Sequence, residues 1–112
     1  MVASVANDLL DALSANSGTI DYVMIFGEGG VYKNKVLTGW EAASGGKIEM
    51  TDTDIDFEIT SGTVTYTGVK IVSSNVSITD VTKGVATYMF PAPIATVAGD
   101  VIRISVLELG FV

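Results

Sequence analysis

From Thr19 onward, short runs of β-branched and aromatic residues alternate with glycine turns, and that punctuation leaves room for strands and little else. "TIDYVMIF" (19–26) reads as a strand, "GEGG" (27–30) as a turn and "VYKNKVL" (31–37) as a second strand. "GWEAASGG" (39–46) connects to "KIEMT" and "DIDFEIT", then Ser61 and Gly62 turn the chain into the long "TVTYTGVKIVS" (63–73). "VSITDV" (76–81) is a candidate short strand, and "GVATYMF" (84–90) a clearer one that should end or reach a sheet edge at Pro91 and Pro93, because proline has no ladder donor. "AGD" (98–100) turns into a last strand, "VIRISVLEL". About eight short strands in 112 residues predict a mainly β chain, a single antiparallel β-sandwich or jelly-roll-like domain.

The first 18 residues follow a different period. Val5, Ala6, Leu9, Leu10 and Leu13 recur at offsets near three and four, with Ser4 placed to cap and Gly18 placed to stop. This is one amphipathic α-helix, too short to hold alone in water, so it docks on something. The expected organisation is one domain over 1–112, with a helical segment at 1–18 and the β-sandwich at 19–112.

Composition then narrows function. Hydrophobic residues make up 48% of the chain against 17% charged, which is too apolar for disorder and favours further burial in an assembly. Six Lys and Arg are scattered among thirteen Asp and Glu, a net charge of −7, so no basic patch for nucleic acid is expected. Without Cys or His the chain has no disulfide, thiolate nucleophile, imidazole base or Cys/His zinc site. The amino terminus lacks the basic start of a signal peptide, Asp8 and Asp11 interrupt its apolar run, and no stretch approaches the ~20 apolar residues of a membrane span. The expectation is a soluble chain made in the cytoplasm. "NVS" at 75–77 matches a glycosylation acceptor, which carries little weight without a secretory route.

One run invites a metal reading. "TDTDIDFEITSG" (51–62) sets Asp52, Asp54, Asp56 and Glu58 at every second position, and carboxylates are hard ligands for calcium. A calcium loop begun at Asp52 needs glycine sixth and glutamate twelfth, where this chain has Phe57 and Thr63; begun at Asp54 it finds Ile59 and Thr65. Ile55, Phe57 and Ile59 interleave with the acids at the period of a half-buried strand, so the apolar set turns inward and the acids face water or a partner. Asp52, Asp54 and Asp56 remain only weak metal candidates, and no cofactor is expected.

No catalytic pair stands out: the Ser, Thr and Asp residues fit turns and strand faces, and "GEGG" lacks the lysine and helix of a phosphate-binding loop. Tyr22, Tyr32, Trp40, Tyr66 and Tyr88 suit core or interface positions more than base stacking, given no basic groove.

Taken together, "GWEAASGGKIEM", "FEITSGTVTYTGVKIVSS" and "GVATYMFPAPIATVAGDVIRISV" resemble a group of small tailed-phage virion proteins. Trp40, residues 42–46, residues 62–69 and residues 97–100 carry the resemblance, which spans roughly residues 39–106. The chain departs from that pattern in lacking a polar, glycine-rich stretch after the "GV" strand. The resemblance implies a non-enzymatic virion structural protein, most simply a head decoration (cement) protein on the capsid exterior. Its partners would be the major capsid protein and further copies of itself, as a dimer or trimer, with no nucleic acid and no membrane. The alternative is a tail- or fibre-associated protein that binds a receptor or carbohydrate. Val5, Leu9, Leu10 and Leu13 of the helix, Trp40, and Phe111 in the apolar tail are the candidate interface residues.

Overall fold

The computed structural model describes residues 3–111. Helix α1 (Ala3–Ala15) precedes eight strands: β1 (Tyr22–Gly27), β2 (Tyr32–Val36), β3 (Lys47–Glu49), β4 (Ile55–Glu58), β5 (Thr63–Val72), β6 (Ala86–Val97), β7 (Val101–Ile104) and β8 (Glu108–Gly110). The described residues are mainly β, and every ladder is antiparallel: a four-stranded sheet ordered β2-β1-β5-β6, and two-stranded ladders β3–β8 and β4–β7.

The central strands are the most apolar. In β1, Val23, Met24 and Ile25 are all fully buried, so both faces of the sheet are covered there. On one face Val23 and Ile25 join Val69 and Tyr66 of β5, packed with Ile55, Phe57 and Ile59 from the β4 segment and Ile102 of β7. The alternation expected of the acidic run therefore holds, with Asp54 and Glu58 exposed and Asp56 half-exposed.

On the other face Met24 stands directly opposite Asn34 of β2 and Lys70 of β5. Residues 73–85 are tied down on this face. Asn34 Nδ2 donates to the carbonyl of Ile78 at 2.6 Å, Lys70 Nζ donates to the carbonyl of Val81, and Val85 N donates to Ile71 O at 2.8 Å. The "VSITDV" segment is thus turn and bend rather than a strand. Its own side chains take the backbone donors that a ladder would use: Ser77 Oγ accepts from Thr79 N and Asp80 N, and Asp80 Oδ1 accepts from Thr82 N at 2.9 Å.

Three other sequence expectations shift. Helix α1 begins at Ala3, so Ser4 lies inside the first turn and is not the cap. The expected last strand divides into β7 and β8, because its two ends pair with different partners, β4 and β3. Of the two outcomes open at the prolines the strand takes the sheet edge, where proline is tolerated, but its bounds shift: it begins at Ala86 and continues past the prolines to Val97.

Helix α1 docks where predicted to need support. Leu10 is fully buried with Ile20, Ile48 and Ile71 in a second apolar cluster. Asn7 Oδ1 accepts from Gly46 N and Asp11 Oδ1 from Ala43 N, both at 2.8 Å, which pins the helix to the segment leading into β3. Trp40 and Leu107 pack against both clusters and join them.

Candidate functional site

Between Lys83 and Asp100 the chain has no charged residue, and this stretch contains β6, the longest strand described. An edge strand of twelve residues offers a row of main-chain groups that β5 does not take, less Pro91 and Pro93, which have no N–H, and Val97, whose N–H and carbonyl are both bonded to Asp100, and most of its side chains are exposed. Tyr88 (57% exposed), Met89 (56%), Ile94 (38%) and Val97 (54%) stand out as large apolar groups in water.

The prolines shape this edge. Tyr66 pairs with Ile94 and Gly68 with Met89, so the four residues Phe90, Pro91, Ala92 and Pro93 stand opposite Thr67 alone. Two paired blocks of four, Ala86 to Met89 and Ile94 to Val97, flank this bulge. Gly68 makes the close approach feasible, since a Cβ there would lie 2.7 Å from both the Phe26 ring and the Tyr88 carbonyl.

Beside the first block, a groove of about 400 Å³ opens between β6 and the β7–β8 segment. Val69, Tyr88, Phe90, Ile104, Val106 and Leu107 supply its apolar lining. Tyr88 and Phe90 meet edge to face with centroids 6.3 Å apart. The charges at its rim already have partners: Arg103 donates to both oxygens of Asp56, at 2.7 and 3.0 Å, and Lys47 pairs with Glu108 at 3.3 Å. The hydrogen bonds from Arg103 hold the Asp56 carboxyl below its ordinary range, and Asp56 in turn raises the Arg103 guanidinium. Such exposed, satisfied pairs leave the groove effectively neutral.

The weak metal candidates do not converge. Asp52 accepts from Thr38 N at 3.0 Å and Thr38 Oγ1 at 2.8 Å, Asp56 is held by Arg103, and Asp54 is exposed. Among the described residues no group of three or more acidic side chains is placed to hold a metal ion.

The predicted interface residues separate into two groups. Val5 and Leu9 are about half exposed on α1, and Phe111 is 47% exposed. Leu10, by contrast, is wholly buried and cannot meet a partner; an interior position on the docked face of α1 claims it. Leu13 packs half-buried on the same cluster. Trp40 is half-buried and donates its indole N–H to Ile20 O at 2.8 Å, which fixes it in the fold's interior seam. The sequence reading left a sheet edge open at the prolines but did not mark β6 as a contact surface. Its signal was present as an uncharged run of sixteen residues, 84–99, broken only by turn formers and proline.

The chain is thus a mainly β protein whose most distinctive surface is an apolar, charge-free sheet edge. No protein-family model, curated protein or solved structure matches it.

Proposed function

We propose that this chain is a non-enzymatic structural protein of a tailed-phage virion, and within that class a head decoration protein that binds the outside of the capsid shell. The observation that carries the reading is the β6 edge: a long apolar surface without a charge, on a chain whose other surfaces carry thirteen acids. A surface of that kind suits lasting contact with protein more than turnover of a substrate. A decoration protein meets a repeated lattice, so modest contacts are multiplied by avidity and no reaction centre is required. The acidic remainder keeps the coated particle soluble after synthesis in the host cytoplasm.

The finer fold reading belongs to the same proposal. The core shared by the four-stranded sheet and the β4–β7 ladder supports a β-sandwich, the scaffold expected of small virion proteins of this kind.

The test is binding of the purified chain to empty capsids. Saturation at a copy number set by the lattice, with a rise in capsid melting temperature, supports decoration; absence of binding overturns it. A tail- or fibre-associated role binding carbohydrate is favoured by one observation, the exposed Tyr88 ring at the mouth of the groove. Glycan binding that Tyr88→Ala abolishes, together with no capsid binding, would establish that role instead.

A further inference from the structure

We infer that β6 is the pairing edge of a two-fold dimer, in which two copies of this chain join their four-stranded sheets antiparallel, edge to edge, into one sheet of eight strands. The inference deepens the structural-protein reading by naming the contact and its occupant.

The occupant follows from charge. Each copy carries −7, so two copies repel wherever their acids approach, and the edge without charges is the place they meet at least cost. The uncharged stretch is bounded by Lys83 at one end and Asp100 at the other, both exposed and each three residues beyond β6. An antiparallel copy centred on β6 brings Lys83 opposite Asp100 of the partner subunit, and Asp100 opposite the partner's Lys83. A parallel copy puts like charge beside like. The edge is therefore self-complementary in one orientation only.

The strand's own geometry fits the same centre. The two paired blocks are equal in length, so a two-fold axis at the proline bulge sets the first block of one copy against the second block of the other. Pro91 and Pro93, which have no N–H to give, fall at the axis where no ladder bond is required. The bulge and its prolines blunt the middle of β6, so the ladder forms from the two flanking blocks and not through the centre. Pairing with the opposite sheet edge is disfavoured, because β2 carries Lys33 and Lys35 and a β6-to-β2 contact would propagate instead of closing.

The area is of the right size. Val85, Tyr88, Met89, Ile94 and Val97 are each 38% to 57% exposed. Together they present on the order of 500 Å² before the main-chain edge is counted, against about 800 Å² per partner in a standard interface. Because the four bulge residues stand opposite Thr67 alone, β6 runs alongside the stretch of β5 from Thr63 to Ile71. At roughly 3.4 Å per residue that stretch is about 30 Å long.

Sedimentation of the full chain across a dilution series tests this. A dimer is expected, lost in Met89→Lys and in Ile94→Lys, with melting of the monomer fold unchanged in Met89→Lys, whose side chain is 56% exposed, and lowered somewhat in Ile94→Lys, whose side chain is 38% exposed. Lys83→Glu and Asp100→Lys each weaken self-association roughly threefold to tenfold, two exposed pairs being affected per dimer. A mixture of those two variants restores it, because the heterodimer regains both opposite-charge pairs. A wild-type chain that stays monomeric, or a dimer indifferent to Met89→Lys and Ile94→Lys, overturns the inference. A monomer that still coats capsids would leave the decoration reading standing, and a β6 dimer that ignores capsids would do the reverse.

Discussion

Gly27, the last residue of β1, and Gly29, in the turn that follows, are glycine for different reasons. A Cβ on Gly27 would sit 1.9 Å from the carbonyl oxygen of Thr65, in the neighbouring strand and immovable without breaking the ladder. Gly29 has open space around it and only its φ of +72° against an ordinary side chain. Gly29→Ala should therefore cost about 1–2 kcal/mol, the strain of a left-handed residue. Gly27→Ala should cost several times more or abolish folding. Urea unfolding of the two variants separates them, and equal losses would show that the β1–β5 approach is looser than described. Asp56 supplies a second residue-scale outcome. Its folded pKa lies below the ordinary 3.8. The stability it contributes is then fully present above that ordinary value and is lost as pH falls through the lowered one. Thermal melting should show an acid limb starting near pH 4 that is shallower in Asp56→Asn, and no difference in slope between the two proteins from about pH 7 to 5.

At the scale of elements, β4 shows what alternation can and cannot reveal. The inward turn of Ile55, Phe57 and Ile59 was legible because a one-residue slip would bury the carboxylates and expose the core, which no register tolerates. The hydrogen bonds that take up the acids were not legible, since Arg103 lies 47 residues away in sequence and Thr38 reaches Asp52 across 14. That dispersal gives a clear expectation: the melting temperature is the same in calcium and in chelator, and a shift on adding calcium would return the acidic run to the status of a site. Elsewhere the helix, the hairpin turn and most strands could be read from period and glycine. The segment at 76–81 was misread because its apolar alternation is real but its Ser and Asp side chains satisfy the backbone locally. The full length of β6 was missed for a related reason. The prolines allowed either a stop or a sheet edge, and an edge strand carries them past residue 93 by leaving a four-residue bulge out of the ladder. Leu10 was assigned outward because periodicity identifies an apolar face without saying what covers it.

The whole molecule is longer than a compact chain of its size, with a radius of gyration of 14.5 Å and a long dimension of 45 Å. A sphere-like domain of 112 residues would come nearer 13 Å. Elongation of this kind raises the question of whether the two apolar clusters melt apart, one under β1, β4 and β5, the other under α1 and β3. The bridge between them is specific: Trp40 and Leu107 pack on both, and the indole N–H is anchored at Ile20, inside the second cluster's own segment. Strand β5 also runs through both, with Val69 in one and Ile71 in the other. A break between the clusters would strip contacts from a single strand on both sides of one residue, so one cooperative transition is expected. Trp40 is the chain's only tryptophan and reports the junction by fluorescence, while far-UV circular dichroism reports the ladders and the helix. Their urea midpoints should coincide. Leu10→Ala, which empties a fully buried site at a cost of about 2–5 kcal/mol, should move both midpoints together and by the same amount. If the dichroism signal of the helix is lost first while Trp40 fluorescence keeps its wild-type midpoint, the clusters are separate folding units, and α1 is then a detachable element free to serve as a contact in its own right.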